Sequence, residues 1–171
     1  MLVFIEERGG EIRKASLEVL GEARRLADAG GGEVIGMIFG SGLGEAVAGI
    51  RRAGAHHLLV ADHPTCREAT SDALAGEISR IARERQVGAL LFASTVLGRE
   101  LSACVAADLD TCVAADCTEV TPQGAGFRVK RPVYAGKAVL ILAIESSPCV
   151  LTYRPNYGSP IEEGAGEAEV T

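Results

Sequence analysis

The sequence predicts an α/β domain, a mainly parallel sheet flanked by helices with antiparallel strands added at the C-terminal end. Through the first two thirds of the chain, short apolar runs alternate with segments of helical period, the pattern of parallel strands joined by crossover helices. From Thr111 onward the grammar changes to strand-like runs separated by short turns, the spacing of antiparallel hairpins. Size agrees, because 171 residues, 47% of them hydrophobic, suit one domain that buries about two thirds of its unfolded surface without disulfide or metal support.

Leu2 to Ile5 is the first strand. Around Leu17 to Ala27 a helix carries Leu20, Ala23 and Ala27 at i, i+3 and i+7, with Glu18, Glu22, Arg24, Arg25 and Asp28 on its wet face. Gly30-Gly31-Gly32 ends it. Val34 to Phe39 is the second strand, Glu45 to Arg52 a short helix and Leu58 to Val60 the third strand. Leu74, Ile78, Ile81 and Ala82 mark the next helix, and Ala89 to Ala93 the fourth strand. A further helix runs from Arg99 through Leu101, Val105 and Leu109 and ends near Asp108 to Asp110. Thr111 to Val120, Phe127 to Tyr134, Ala138 to Glu145 and Cys149 to Tyr153 then read as strands in hairpins at the sheet edge. Residues 1–157 form the folded domain, and 158–171, poor in large aliphatics, read as a flexible linker.

The net charge of -6 argues against a general nucleic-acid binder, which would show a basic patch or stripe. Ala138 to Ile144 is the longest apolar run, whereas a membrane-spanning helix needs about 20 residues, so no membrane insertion is expected. The first residues lack the positively charged start of a signal peptide, which points to the cytoplasm. Cys66, Cys104, Cys112, Cys117 and Cys149 include no CxxC pair and read as buried thiols of a reducing compartment.

Gly40-Ser41-Gly42-Leu43-Gly44 joins a strand to a helix, as a phosphate-cradling turn would. Its spacing departs from the dinucleotide fingerprint, since Glu45 stands where the third glycine belongs. The better anion site is the turn after the fourth strand, where Ser94 and Thr95 hydroxyls, the amides of a helix N-terminus at Gly98 and the Arg99 guanidinium stand together. Ser94, Thr95, Gly98 and Arg99 are therefore the candidate site for an anion or an AMP-like nucleotide, with helix capping by Ser94 or Thr95 as the plainer reading. Asp62 ends the third strand at the same edge, suited to a ribose hydroxyl or to a turn. His56 and His57 point to opposite faces of a strand, so no metal site is expected. No grouping of acid, base and nucleophile has catalytic context, which predicts a protein with no catalytic set of its own.

Arg131-Pro132-Val133-Tyr134-Ala135-Gly136-Lys137-Ala138 resembles the R-P-[VI]-Y-A-G-N-A motif of the electron transfer flavoprotein alpha subunit, with Lys137 in place of the usual Asn. Leu2 to Glu6 is similar to that family's start, Ala93 to Arg99 to its A-T-T-x-x-G-[KR] segment, and Leu151 to Pro155 to its T-V-R-P ending. The resemblance covers residues 2–157 and implies an adenine nucleotide alpha hydrolase-like fold and the N-terminal domain of that subunit. It implies as partners a homologous beta subunit and a C-terminal FAD domain of the same subunit, which holds the FAD of the full-length complex. It also implies an electron carrier working between flavoprotein dehydrogenases and a quinone reductase. The alternative is a free-standing adenine-nucleotide module of the universal-stress-protein type, but of that family's G-x-x-G-x9-G-[ST] loop only Gly98 is present.

Overall fold

The computed structural model describes residues 1–161 and 166–171. In chain order the elements are β1 (Leu2–Ile5), β2 (Glu7–Arg8), β3 (Glu11–Ile12), α1 (Lys14–Gly30), β4 (Ile35–Gly40), α2 (Gly44–Ile50), β5 (His57–Asp62) and a 3-10 turn (Pro64–Glu68). They continue with α3 (Ser71–Glu84), β6 (Ala89–Ala93), α4 (Val96–Asp108), β7 (Val113–Cys117), β8 (Glu119–Gln123), β9 (Gly126–Val133), β10 (Ala138–Ile144), β11 (Cys149–Tyr153) and β12 (Glu169–Val170). Seven strands form a parallel sheet in the order β12-β5-β4-β1-β6-β11-β7, and β10-β9-β8 form a separate antiparallel sheet. The expected α/β class stands.

Strand alternation gives the sheet two greasy faces. Val3 and Ile5 join Val19, Leu20, Ala23 and Leu26 of α1 and Ile50 of α2 on one face, together with Val120 and Val129 of the small sheet. Leu2, Phe4 and Phe92 face Ala75 and Ile78 of α3 and Leu101 and Val105 of α4 on the other. There the Phe4 ring lies 6.0 Å from Phe92 and 6.4 Å from Phe39, within the range of favourable aromatic pairs. The small sheet is tied to α1 where Arg25 Nη2 donates to Val120 O at 2.7 Å.

Four details differ from the sequence reading. Thr111 to Val120 is two strands, β7 and β8, parted at Thr118, and within β7 Asp116 takes a φ of +62° where the β7–β11 register shifts. Cys149 to Tyr153 is not part of an edge hairpin: β11 is parallel and sits inside the main sheet between β6 and β7. Parallel neighbours need a long crossover, and the whole β8–β9–β10 meander supplies it in place of a helix. A small hairpin, β2–β3, turns at Gly9 and Gly10, both at positive φ.

The fourth difference is the tail. Residues 158–161 and 166–171, read as a flexible linker, are mostly exposed but touch the domain at several points; the share of that expectation falling on 162–165 lies outside the described residues. Ser159 O lies 2.1 Å from where a Cβ on Gly21 would stand, and Ala168 is buried. β12 then runs parallel to β5, with Thr171 N donating to Leu58 O at 2.9 Å and Val60 N to Thr171 O at 2.9 Å. Without it β5 would present an edge of unpaired amides, and main-chain pairing asks little of side-chain type. Among the described residues no helix is long and apolar enough to cross a membrane.

Candidate functional site

In an open parallel sheet ligands collect beyond the carboxyl ends of the strands, at the point where the strand order reverses. Here the chain moves from β1 outward through β4 and β5 and then returns to β6 on the opposite side of β1, so that point lies between β1 and β6. Ser94, Thr95, Gly98 and Arg99 follow β6 at that crevice, and Glu6 follows β1.

Each candidate has a defined place. Thr95 is the N-cap of α4, its Oγ1 accepting from Gly98 N at 3.0 Å. The same hydroxyl donates to Glu6 Oε2 at 2.6 Å. Glu6, only 13% exposed, also has Oε1 4.0 Å from Arg13 Nε. Gly98 serves close packing, since a Cβ there would lie 2.0 Å from Ala93 O, inside any real contact. Ser94 is buried, its N donating to Tyr153 O at 2.7 Å. Arg99 is exposed on the first turn of α4, which begins at Val96 and so three residues before the expected start. Thr95 and Gly98 are thus brought together, and the carboxylate of Glu6 stands at the helix end where an external anion would bind.

The glycine turn repeats the arrangement. Gly42 N and Leu43 N donate to the two carboxylate oxygens of Asp62 at 2.6 and 2.9 Å. Those are the amides a phosphate would use. A third carboxylate, Glu18, accepts from Asn156 N at 2.6 Å and lies 3.5 Å from Lys14 Nζ in a cleft of about 770 Å³ that Thr95 also lines. The histidines are separately engaged, His56 Nδ1 accepting from Val34 N at 3.0 Å and His57 lying near Glu33 and Glu169. Among the described residues no group of three His, Cys, Asp or Glu side chains is placed to hold a metal.

The sequence reading missed Asp116. At the corner of β7 and β8 the Arg154 guanidinium grips its carboxylate in a two-pronged ion pair, with Nε donating to Oδ1 at 2.9 Å and Nη2 to Oδ2. Asp116 N donates to Thr152 Oγ1 at 2.8 Å. The hydrogen bonds from Arg154 hold the Asp116 carboxyl below its ordinary pKa against the opposing cost of burial, with Arg131 and then Ser94 adding smaller help. Ser94 Oγ has no partner in hydrogen-bond geometry, so its contribution at Asp116 is one of proximity. Three of the segments that carry the family resemblance, those of Ser94, Arg131 and Arg154, therefore converge on one residue outside them. In the same segment as Arg131, Tyr134 to Gly136 form the β9–β10 turn with positive φ at all three residues, and Tyr134 is 81% exposed.

The sequence profile of the electron transfer flavoprotein domain matches residues 1–171, the whole chain. The chain belongs to the electron transfer flavoprotein domain family. Among its relatives, Protein FixB of Clostridium saccharobutylicum is 35% identical over 171 residues, covering 98% of this chain and 51% of the relative. The electron transfer flavoprotein subunit alpha of Bacillus subtilis (strain 168) is 29% identical over 157 residues, 91% of this chain and 47% of the relative. The acryloyl-CoA reductase electron transfer subunit beta of Anaerotignum propionicum is 27% identical over 178 residues, 90% of this chain and 48% of the relative. This electron transfer flavoprotein domain therefore spans about half the length of the curated relatives it matches, and the resemblance to the alpha-subunit N-terminal domain stands.

A family of flavoproteins raises the question of a flavin dinucleotide. At α4 the Gly98 amide is taken by Thr95 Oγ1, whose hydroxyl donates to the Glu6 carboxylate, and at the β4–α2 turn the Asp62 carboxylate takes the amides of Gly42 and Leu43. A phosphate brought to either turn meets like charge. The residues of this crevice do not fit the phosphates of a dinucleotide.

Proposed function

We propose that this chain is the scaffold domain of an electron transfer flavoprotein alpha subunit, docking the beta subunit and a FAD domain of its own subunit while holding no flavin itself. One observation supports it above the rest. β10, Ala138-Val139-Leu140-Ile141-Leu142-Ala143-Ile144, is an edge strand of the small sheet, and Val139, Leu140 and Ile141 are 57%, 44% and 53% exposed. A long, aliphatic, uncharged edge strand is an aggregation hazard unless a partner covers it, so it reads as an interface. The beta subunit is the occupant this reading assigns, and FAD belongs to the complete complex, which passes electrons from flavoprotein dehydrogenases toward a quinone reductase in the cytoplasm. The self-filled crevice fits such a division of labour, because a scaffold gains stability where a binding domain would keep its amides free.

Size-exclusion chromatography of the chain with its beta subunit tests the assignment. The unmodified chain is expected to co-elute, and the double variant Val139→Asp, Ile141→Asp to elute alone while keeping its melting temperature. Equal co-elution of the variant would remove β10 from the interface. An absorbance spectrum of the chain purified alone tests the rest, and a stoichiometric flavin band would assign it the binding role denied here. The anion site at Ser94, Thr95, Gly98 and Arg99 belongs to the same experiment: AMP titration is expected to give the same weak response with Arg99→Ala as without it, since Thr95 caps the helix end and the Glu6 carboxylate stands beside that cap.

A further inference from the structure

Cys149 opens β11, and Cys112 immediately precedes its neighbour β7. Val113 pairs with Val150 in the β7–β11 ladder, and on the other side of the cysteines Thr111 Oγ1 donates to Pro148 O at 3.0 Å. Held between two fixed contacts, the cysteine backbones are at the spacing of neighbouring strands, about 4.8 Å. That falls inside the Cα separation of about 4.4–6.8 Å across which a disulfide forms. The side chains also share a face. Val113 and Val150 pack on the α3–α4 side, so the alternation turns Cys112 and Cys149 to the α1 side, where Cys149 is part of the core.

Both thiols meet at one residue, Cys149 Sγ donating to Ser146 O at 2.8 Å and Cys112 Sγ lying 3.7 Å from Ser146 Oγ. Their exposures are complementary, because Cys112 is open to solvent and Cys149 is 1% exposed. An accessible thiol beside a protected one is the arrangement of an attacking and a resolving cysteine. The remaining cysteines are placed otherwise. Cys117 is buried and its thiol is pushed up to about 12 by burial, while Cys66 and Cys104 lie in the 3-10 turn and α4.

We propose that Cys112 and Cys149 are a redox pair that a low-molecular-weight disulfide converts into an intramolecular cross-strand disulfide. The Cys112 thiolate attacks one sulfur of the small disulfide, forming a mixed disulfide and releasing one thiol. The Cys149 thiolate then attacks Cys112 Sγ and expels the second thiol. Two protein thiols are oxidised, one small disulfide is reduced to two thiols, and the two protons leave with them. The bond ties edge strand β7 to β11 and closes the segment that carries the whole small sheet, including β10. Oxidation would therefore restrain the surface assigned above to the beta subunit, although the chemistry itself is independent of that assignment.

The test is incubation of the purified chain with excess oxidised glutathione, alkylation of the remaining thiols after denaturation, and peptide mapping without reduction. The expected result is the loss of two thiols per chain, a linked peptide joining Cys112 to Cys149, a monomer on non-reducing gels and a raised melting temperature that falls back on reduction. Cys149→Ala is expected to stop at a stable glutathione adduct on Cys112. Cys112→Ser, a substitution at the surface, is expected to prevent both the adduct and the link. A glutathione adduct persisting on Cys112 of the unmodified chain, a link between other cysteines, or a dimer joined through Cys112 would each overturn the proposal.

Discussion

Strands β6 and β10 have nearly the same composition and opposite surroundings. Ala89-Leu90-Leu91-Phe92-Ala93 is buried at every position, covered by helices on both faces and by strands on both edges. Ala138 to Ile144 is equally apolar, yet its first four residues are exposed and one of its edges is unpaired among the described residues. Aliphatic content thus makes a strand in both places, but only in β6 does burial within the chain make it stabilising. What separates the two is where the crossovers lead. α3 and α4 return the chain over β6, whereas the turn at Tyr134 to Gly136 carries β10 to the outer edge of a three-stranded sheet.

Substitutions should sort the two regions by size of effect. Phe92→Ala removes a ring packed against Phe4 in a filled core and should cost about 4 kcal/mol of stability, measured by urea denaturation. A loss below about 1 kcal/mol would mean that the α3–α4 side is loosely packed. Gly98→Ala comes next, since its Cβ would press on Ala93 O and lift α4 from the end of β6; about 3 kcal/mol is expected from the same measurement.

The corner between the two sheets should respond less. Arg154→Ala leaves Asp116 without its two-pronged partner, and with about a third of each side chain open to water the expected cost is about 1.5 kcal/mol. This contribution has a pH signature. The folded Asp116 pKa is lowered, so the stabilisation is complete above the unfolded value, near pH 4, and is lost as pH falls through the folded value. Asp116→Asn should therefore flatten the fall in melting temperature as the pH drops below the usual carboxylate range, and an unchanged slope would show that the ion pair is not formed in solution. Smallest in stability is the β10 pair Val139→Asp, Ile141→Asp, within about 0.5 kcal/mol of the unmodified chain, because those side chains already face water. A large loss there would mean that β10 is covered within the isolated chain, and the contrast with β6 would fail.

The elements that were legible in the sequence are those whose signal is local. Leu20, Ala23 and Ala27 mark α1, and Leu101 and Val105 mark α4, because one face of each helix must meet the sheet. The solvent-exposed cysteine was not legible, since Cys112 lies in a strand-like run where every second residue is normally covered; β7 is an edge strand, and that leaves Cys112 open. Part of the candidate site was legible too. A hydroxyl residue after a buried strand and before a helix caps that helix, and Thr95 does.

By itself the sequence determined the long apolar strands, the main helices, the α/β class and the family, through apolar period and short motifs that act over a few residues. Only the tertiary structure decided that β11 enters the main sheet beside β6, that β12 returns to complete the edge at β5, and that Asp116 joins Arg154. It also decided that Glu6 meets the Thr95 hydroxyl and that Asp62 takes the amides of Gly42 and Leu43. The physical reason is common to all of these. Main-chain pairing and carboxylate contacts depend on how distant segments are brought together, as with Glu6 and Thr95, and such partners leave no periodic trace in the residues that supply them.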